Sequence, residues 1–109
     1  MRLPYNWDGY GGTAIGFGLA TFVMKMLGSA CPHGTRAPAI VPAGNGDVQV
    51  EWHTFEYDIE LHVEAPFRVH ACRVHNGEIE ERLLTNEFSL VANWLREMEA
   101  AIAARTTAA

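Results

Sequence analysis

From residue 48 onward the chain alternates apolar and polar positions. Val48, Val50 and Trp52 share one face of VQVEWHTF, Ile59, Leu61 and Val63 share one face of the next run, and Phe67, Val69 and Ala71 share one face of a third. Period-2 runs of this kind predict strands with one face buried. With Phe55 and Glu56 as the first turn, Trp52 lies opposite Ile59 and Val50 opposite Leu61. With Glu64, Ala65 and Pro66 as the second, Val63 meets Phe67 and Leu61 meets Val69. Both registers gather the apolar residues on one side, the condition that normally fixes register. HNGE at 75–78 is a strong hairpin turn. A short strand from Ile79 to Leu83 is expected after it, with Arg73 and Glu80 paired on the core side. Upstream, AIV at 39–41 fits a short edge strand, because GNG follows at once.

The period changes on either side of these strands. Ile15, Leu19, Phe22, Val23 and Met26 recur at helical spacing, predicting a helix from an N-cap at Thr13 to about Leu27, with Gly28 as its stop. Phe17 and Met24 fall on the opposite side of that helix. A helix apolar on both sides needs cover on both, so Phe17 and Met24, together with Trp94, are the expected partner or dimer interface. SACPHGTRAPAIVPAGNGD is too rich in Pro and Gly to be helical. Asn86 is expected to cap a second helix, with a narrow stripe of Phe88, Val91, Leu95, Met98 and Ile102 and with Trp94 at its edge. The reading is α+β: a helix, an antiparallel three- to four-stranded meander and a C-terminal helix, both helices on one sheet face. Residues 1–109 are read as one domain.

Composition narrows the functions. Of 109 residues, 49% are apolar and 19% charged, ordinary for a globular chain, and the net charge of −5 disfavours binding to nucleic acid. The charge permits binding to a basic surface; a protein partner and a homodimer are expected, with no nucleic acid and no membrane. Two cysteines make no disulfide framework, which points to a reduced, cytoplasmic setting. The apolar run from Ala14 to Ala30 ends in LGSAC, which loosely resembles a lipoprotein cleavage site. Asp8 before the run, Lys25 within it and Gly28 where such signals prefer Leu argue against a signal peptide. The run is also short of the about 20 apolar residues that a membrane span needs. At the start, NWDGYGG has no preceding strand and no Lys where a phosphate-binding loop requires one. Trp7 and Tyr10 are read instead as apolar anchors, with Asp8 bonding nearby amides and Trp52 anchoring the sheet.

The polar sheet face holds the one tempting constellation. The registers above set His53 opposite Asp58 and Asp58 beside Cys72. Such a row can ligate zinc, or supply a nucleophile, a base and an orienting carboxylate. A flat, open face has no pocket to exclude water, and cross-strand ion pairing is the commoner reason for such rows. Cys31 and His33, in CPH, are a weaker version of the same pattern. No cofactor is expected.

NWDGYGG, then a helix, then PAIVPAGNGDVQVEWHT and DIELHV, resemble a set of small bacterial and phage proteins. These share a WDGYGA-like start, a P-x-x-x-P-x-x-G-G-x-x-x-E-W hairpin and an ELEI-like strand, and the similarity runs from Asn6 to Val63. Its members look like accessory genes of mobile elements. The first helix departs from the pattern, since AIGFGLATFVMKML is far more apolar than the family's polar outer face. By analogy, the resemblance implies a small acidic, non-enzymatic inhibitor of a host protein, in the manner of an anti-CRISPR protein. The alternatives are a metal-binding protein or hydrolase built on His53, Asp58 and Cys72, and an antitoxin-like partner subunit.

Overall fold

The structure, a computed structural model, describes residues 17–43, 45–54 and 56–108. Alternating sequence has become a five-stranded antiparallel sheet in simple sequence order: β1 (Ala39–Pro42), β2 (Val48–His53), β3 (Tyr57–Ala65), β4 (Arg68–His75) and β5 (Glu78–Leu84). Helix α1 (Phe17–Ala30) precedes the sheet and α2 (Ser89–Ala108) follows it. The class is α+β, as expected, with one strand more than the upper expectation.

Burial follows the alternation. Val48, Val50 and Trp52 of β2, Tyr57, Ile59, Leu61 and Val63 of β3, and Val69 and Ala71 of β4 form one buried face. Phe22, Val23, Met26 and Ala30 of α1, with Phe88 and then Val91, Trp94, Leu95 and Met98 of α2, close the core over it. The connector between α1 and β1 is strapped to this core. The Trp52 indole Nε1 donates to the Arg36 carbonyl at 2.9 Å, and the Arg36 guanidinium pairs with Glu99 of α2 at 2.9 Å.

Turn chemistry sets the hairpins. Asn76 and Gly77 take φ of 52° and 79°, the left-handed pair that a tight hairpin matching the sheet's twist requires. Asn45 closes the β1–β2 turn by accepting from the Asp47 amide at 3.1 Å.

The β3–β4 connection differs from expectation. Val63 faces Val69 and Leu61 faces Ala71, with a register shift between Val63 and Ala65 and a two-residue turn at Pro66 and Phe67. Phe67 therefore leaves the core row and is exposed in the turn. Proline favours the first central position of such a turn, and the second requires positive φ. Phe67 has φ of 63°, a costly conformation for a bulky residue, and its ring packs on Phe22 with centroids 5.1 Å apart. The slip is of two residues, so every apolar residue of β4 keeps its face while its cross-strand neighbour changes.

Both helix boundaries also move. Gly28 lies inside α1, which runs on to Ala30; Pro32 ends it, because the residue before a proline is driven out of helical conformation. Asn86 does not cap α2. The helix begins at Ser89, and the Glu87 carboxylate accepts from the Ser89 amide at 2.6 Å. That hydrogen bonding also holds the Glu87 carboxyl below its ordinary pKa. The anchors proposed at Trp7, Asp8 and Tyr10, the cap at Thr13 and the Phe17 side chain lie outside the described residues. Among the described residues no helix is long and apolar enough to cross a membrane.

Candidate functional site

Both helices pack on one face of the sheet, so no described helix covers the other. That outer face carries Gln49, Glu51 and His53 from β2, Asp58, Glu60, His62 and Glu64 from β3, His70, Cys72 and Val74 from β4, and Ile79, Glu81 and Leu83 from β5. Alternation places them there: each sits between residues that turn toward the core.

Histidines and carboxylates interlock across this surface. His53 lies opposite Asp58, and its Nδ1 is 2.7 Å from the Asp58 carboxylate while its Nε2 is 2.8 Å from Glu51. Two carboxylates on one ring favour the imidazolium, which can donate to both, so hydrogen bonds to Asp58 and then Glu51 raise the His53 pKa above its usual value. His62 reaches Asp47 at 2.7 Å, His70 reaches Glu64 at 2.6 Å, and Arg68 lies 3.8 Å from the same Glu64. The His62 and His70 rings are cross-strand neighbours 6.5 Å apart.

The row of His53, Asp58 and Cys72 is not assembled as expected. His53 and Asp58 do meet, but Asp58 lies opposite Val74, and Cys72 lies between Glu60 on β3 and Glu81 on β5. The two-residue slip at the Pro66–Phe67 turn is the cause. Partial burial and the charges of Glu81 and Glu60 raise the Cys72 thiol pKa. A nucleophile or thiolate ligand needs the opposite shift. Burial likewise raises Cys31, and both thiols are free. Among the described residues, no group of three or more His, Cys, Asp and Glu side chains is placed to hold a metal ion.

The interface residues divide. Met24 is exposed on the outer side of α1, at 66%. Trp94 is buried at 2% and is corrected to a core residue. It lies on the sheet-facing side of α2, three residues from Val91 and four from Met98, and the Arg73 guanidinium sits 5.8 Å from its ring. Arg73 and Glu80 pair at 3.4 Å on the helix side of the sheet, as expected, and Arg73 also reaches Glu97 of α2 at 2.5 Å. Trp52 is buried, as its anchor role requires.

Two clefts mark the described surface. One of about 250 Å³ lies along β4 and β5 beside His70, Cys72, Glu81 and Leu83. The other, of about 200 Å³, lies between Phe22, Lys25, Phe67 and Phe88. Both are smaller than the about 300–1,000 Å³ of typical small-molecule sites. The residues that sequence reasoning passed over are Asp47 and Glu64, partners of two histidines, and Ile79 and Leu83, exposed at 67% and 62%. The signal for the last two was the alternation of EIEERLL, which sets both on the face opposite Glu80. Comparison of the chain with protein-family models, with curated proteins and with solved structures finds no match.

Proposed function

We propose that this chain is a non-enzymatic binding protein whose recognition surface is the outer face of the sheet. The observation that carries the reading is the charge of that face. Asp47, Glu51, Asp58, Glu60, Glu64 and Glu81 crowd a surface on which, among the described residues, Arg68 is the arginine and no lysine stands, with His53, His62 and His70 each set against a carboxylate. A surface of one dominant sign steers a partner of opposite sign and orients it. The partner is a protein with a basic patch. The thiols support a binding role over a catalytic one, because their environments hold the proton on sulfur.

The finer reading rests on the resemblance to small phage and mobile-element proteins: an inhibitor of a host protein, with anti-defence proteins of the anti-CRISPR type as the analogy. Two free cysteines fit a cytoplasmic place of action. Affinity capture from a bacterial host tests the reading, comparing wild type with the exposed-face double variant Glu51→Lys/Glu60→Lys. Wild type should retain a basic protein that the variant loses, and added salt should weaken the capture. Capture that is indifferent to both charge reversal and salt refutes the role given to this face.

A further inference from the structure

The two edges of the sheet are built differently. β1 is four residues long, follows Pro38 and ends on Pro42. Proline has no amide hydrogen to offer an incoming strand, so this edge is blunted. β5 is seven residues long with no Pro or Gly, and among the described residues it pairs with β4 alone. Glu78, Ile79, Glu81, Arg82 and Leu83 are all exposed, so β5 projects past the cover that the helices give its neighbours. Ile79 and Leu83 share its outer face and continue the apolar surface of Val74, which lies opposite Ile79.

We propose that β5 is the seam of a homodimer, in which a second copy of this chain adds its own β5 antiparallel across the open edge, with Glu81 on the two-fold axis. The strand is self-complementary in that register. Ile79 meets the partner's Leu83 on the outer face, and Leu83 meets the partner's Ile79. On the helix side Glu80 meets the partner's Arg82, and Arg82 meets the partner's Glu80. One strand thus supplies two apolar pairs and two opposite-charge pairs, the cross-strand combinations that stabilise antiparallel sheets.

Neighbouring registers lose this match. Centring on Glu80 sets Glu80 against its own copy and Ile79 against Glu81. Centring on Arg82 sets Arg82 against its own copy and Leu83 against Glu81. Seven paired residues add about six to eight backbone hydrogen bonds. The two five-stranded sheets become one of ten strands, and the acidic outer faces lie side by side. The Glu81 pair at the axis is the one repulsive contact. The inference goes beyond the binding reading and is independent of it.

Sedimentation velocity over a concentration series tests it, with circular dichroism confirming that each variant is folded. Wild type should reach twice the 12.0 kDa chain mass. Arg82→Glu sets two carboxylates against two others and should raise the dissociation constant about tenfold or more. Glu80→Lys alone should do the same, whereas an equimolar mixture of the two variants should re-form a dimer, because each chain then supplies the charge the other lacks. Glu81→Gln should tighten the dimer, and Leu83→Asp, at a position exposed in the monomer, should dissolve it. A wild type that stays at 12.0 kDa throughout overturns the proposal. So does a dimer that survives Arg82→Glu and Leu83→Asp but is lost in Met24→Glu, which would put the interface on α1.

Discussion

Replacing Trp52 with alanine should cost about 3–5 kcal/mol, the usual range for a buried aromatic truncated in a core. The structure supports the upper part of that range. Trp52 is 2% exposed in the middle of the buried sheet face, opposite Ile59. A buried aromatic removes about 150–250 Å² from water, and at about 25 cal/mol per Å² this is about 4–6 kcal/mol. An unfolded chain already hides part of that area, so the figure is an upper bound. The indole Nε1 bond to the Arg36 carbonyl adds about 1 kcal/mol. Because small domains hold only about 5–15 kcal/mol in total, the variant should lie near its unfolding midpoint in mild urea. Trp52→Phe keeps most of the burial and loses the indole donor, so it should cost about 1–2 kcal/mol and loosen the Arg36 connector more than the sheet. Urea denaturation followed by far-ultraviolet circular dichroism measures both without relying on the deleted fluorophore. A Trp52→Ala loss below about 1 kcal/mol refutes the assignment of the core face.

The His53 imidazole should titrate above 6.5 in a nuclear magnetic resonance pH series, and Asp58→Asn should bring it down, because the Asp58 hydrogen bond is the largest cause of the shift. The stabilisation from a raised pKa is full below about pH 6.5 and is lost as pH rises through the folded value. With half the ring exposed, it stays below about 1 kcal/mol; a His53 titration at or below 6.5 contradicts the two-carboxylate geometry. Cys72 should react with iodoacetamide more slowly than a free thiol, and Cys72→Ser should leave fold and partner capture unchanged. Stoichiometric zinc in the wild type that disappears in Cys72→Ser reverses that conclusion.

Which residues face inward was written in the chain, because burial on one side of a strand enforces alternation. Val48, Val50, Trp52, Ile59, Leu61 and Val63 are all buried, and the β2–β3 pairing of Trp52 with Ile59 is as the pattern requires. The β3–β4 register was not legible. Two alignments that differ by two residues keep Ile59, Leu61, Val63, Val69 and Ala71 on the same face and differ only in the place of Phe67, so the alternation does not choose between them. The choice lay in the turn, where Phe67 accepts positive φ and a place against Phe22 instead of a place in the core row. Helix ends were hidden for a similar reason. Pro32 outweighed Gly28, and the Glu87 carboxylate took the position at the amide end that Asn86 was expected to fill.

Site inference inherits that ambiguity in full. Whether Cys72 stands opposite Asp58 or Glu60 changes its chemistry, and the difference comes from the Pro66–Phe67 turn that joins the two strands, five residues before Cys72. Beside Asp58 and His53 the thiol would have had a base within reach. Between Glu60 and Glu81 it has two acids, whose charges add to partial burial in raising its pKa. The same slip that dismantles the row leaves the outer face more uniformly acidic along its centre, from Glu51 through Glu60 to Glu81 across β2, β3 and β5. Charge ordered across several strands is unfavourable to the isolated sheet, since like charges placed opposite one another destabilise it. Glu51 faces Glu60 directly, and only His53 answers Glu51 on its own strand. Under the proposed binding role, a basic partner laid over this band would relieve that repulsion, giving the face a reason to be acidic that the fold alone does not supply.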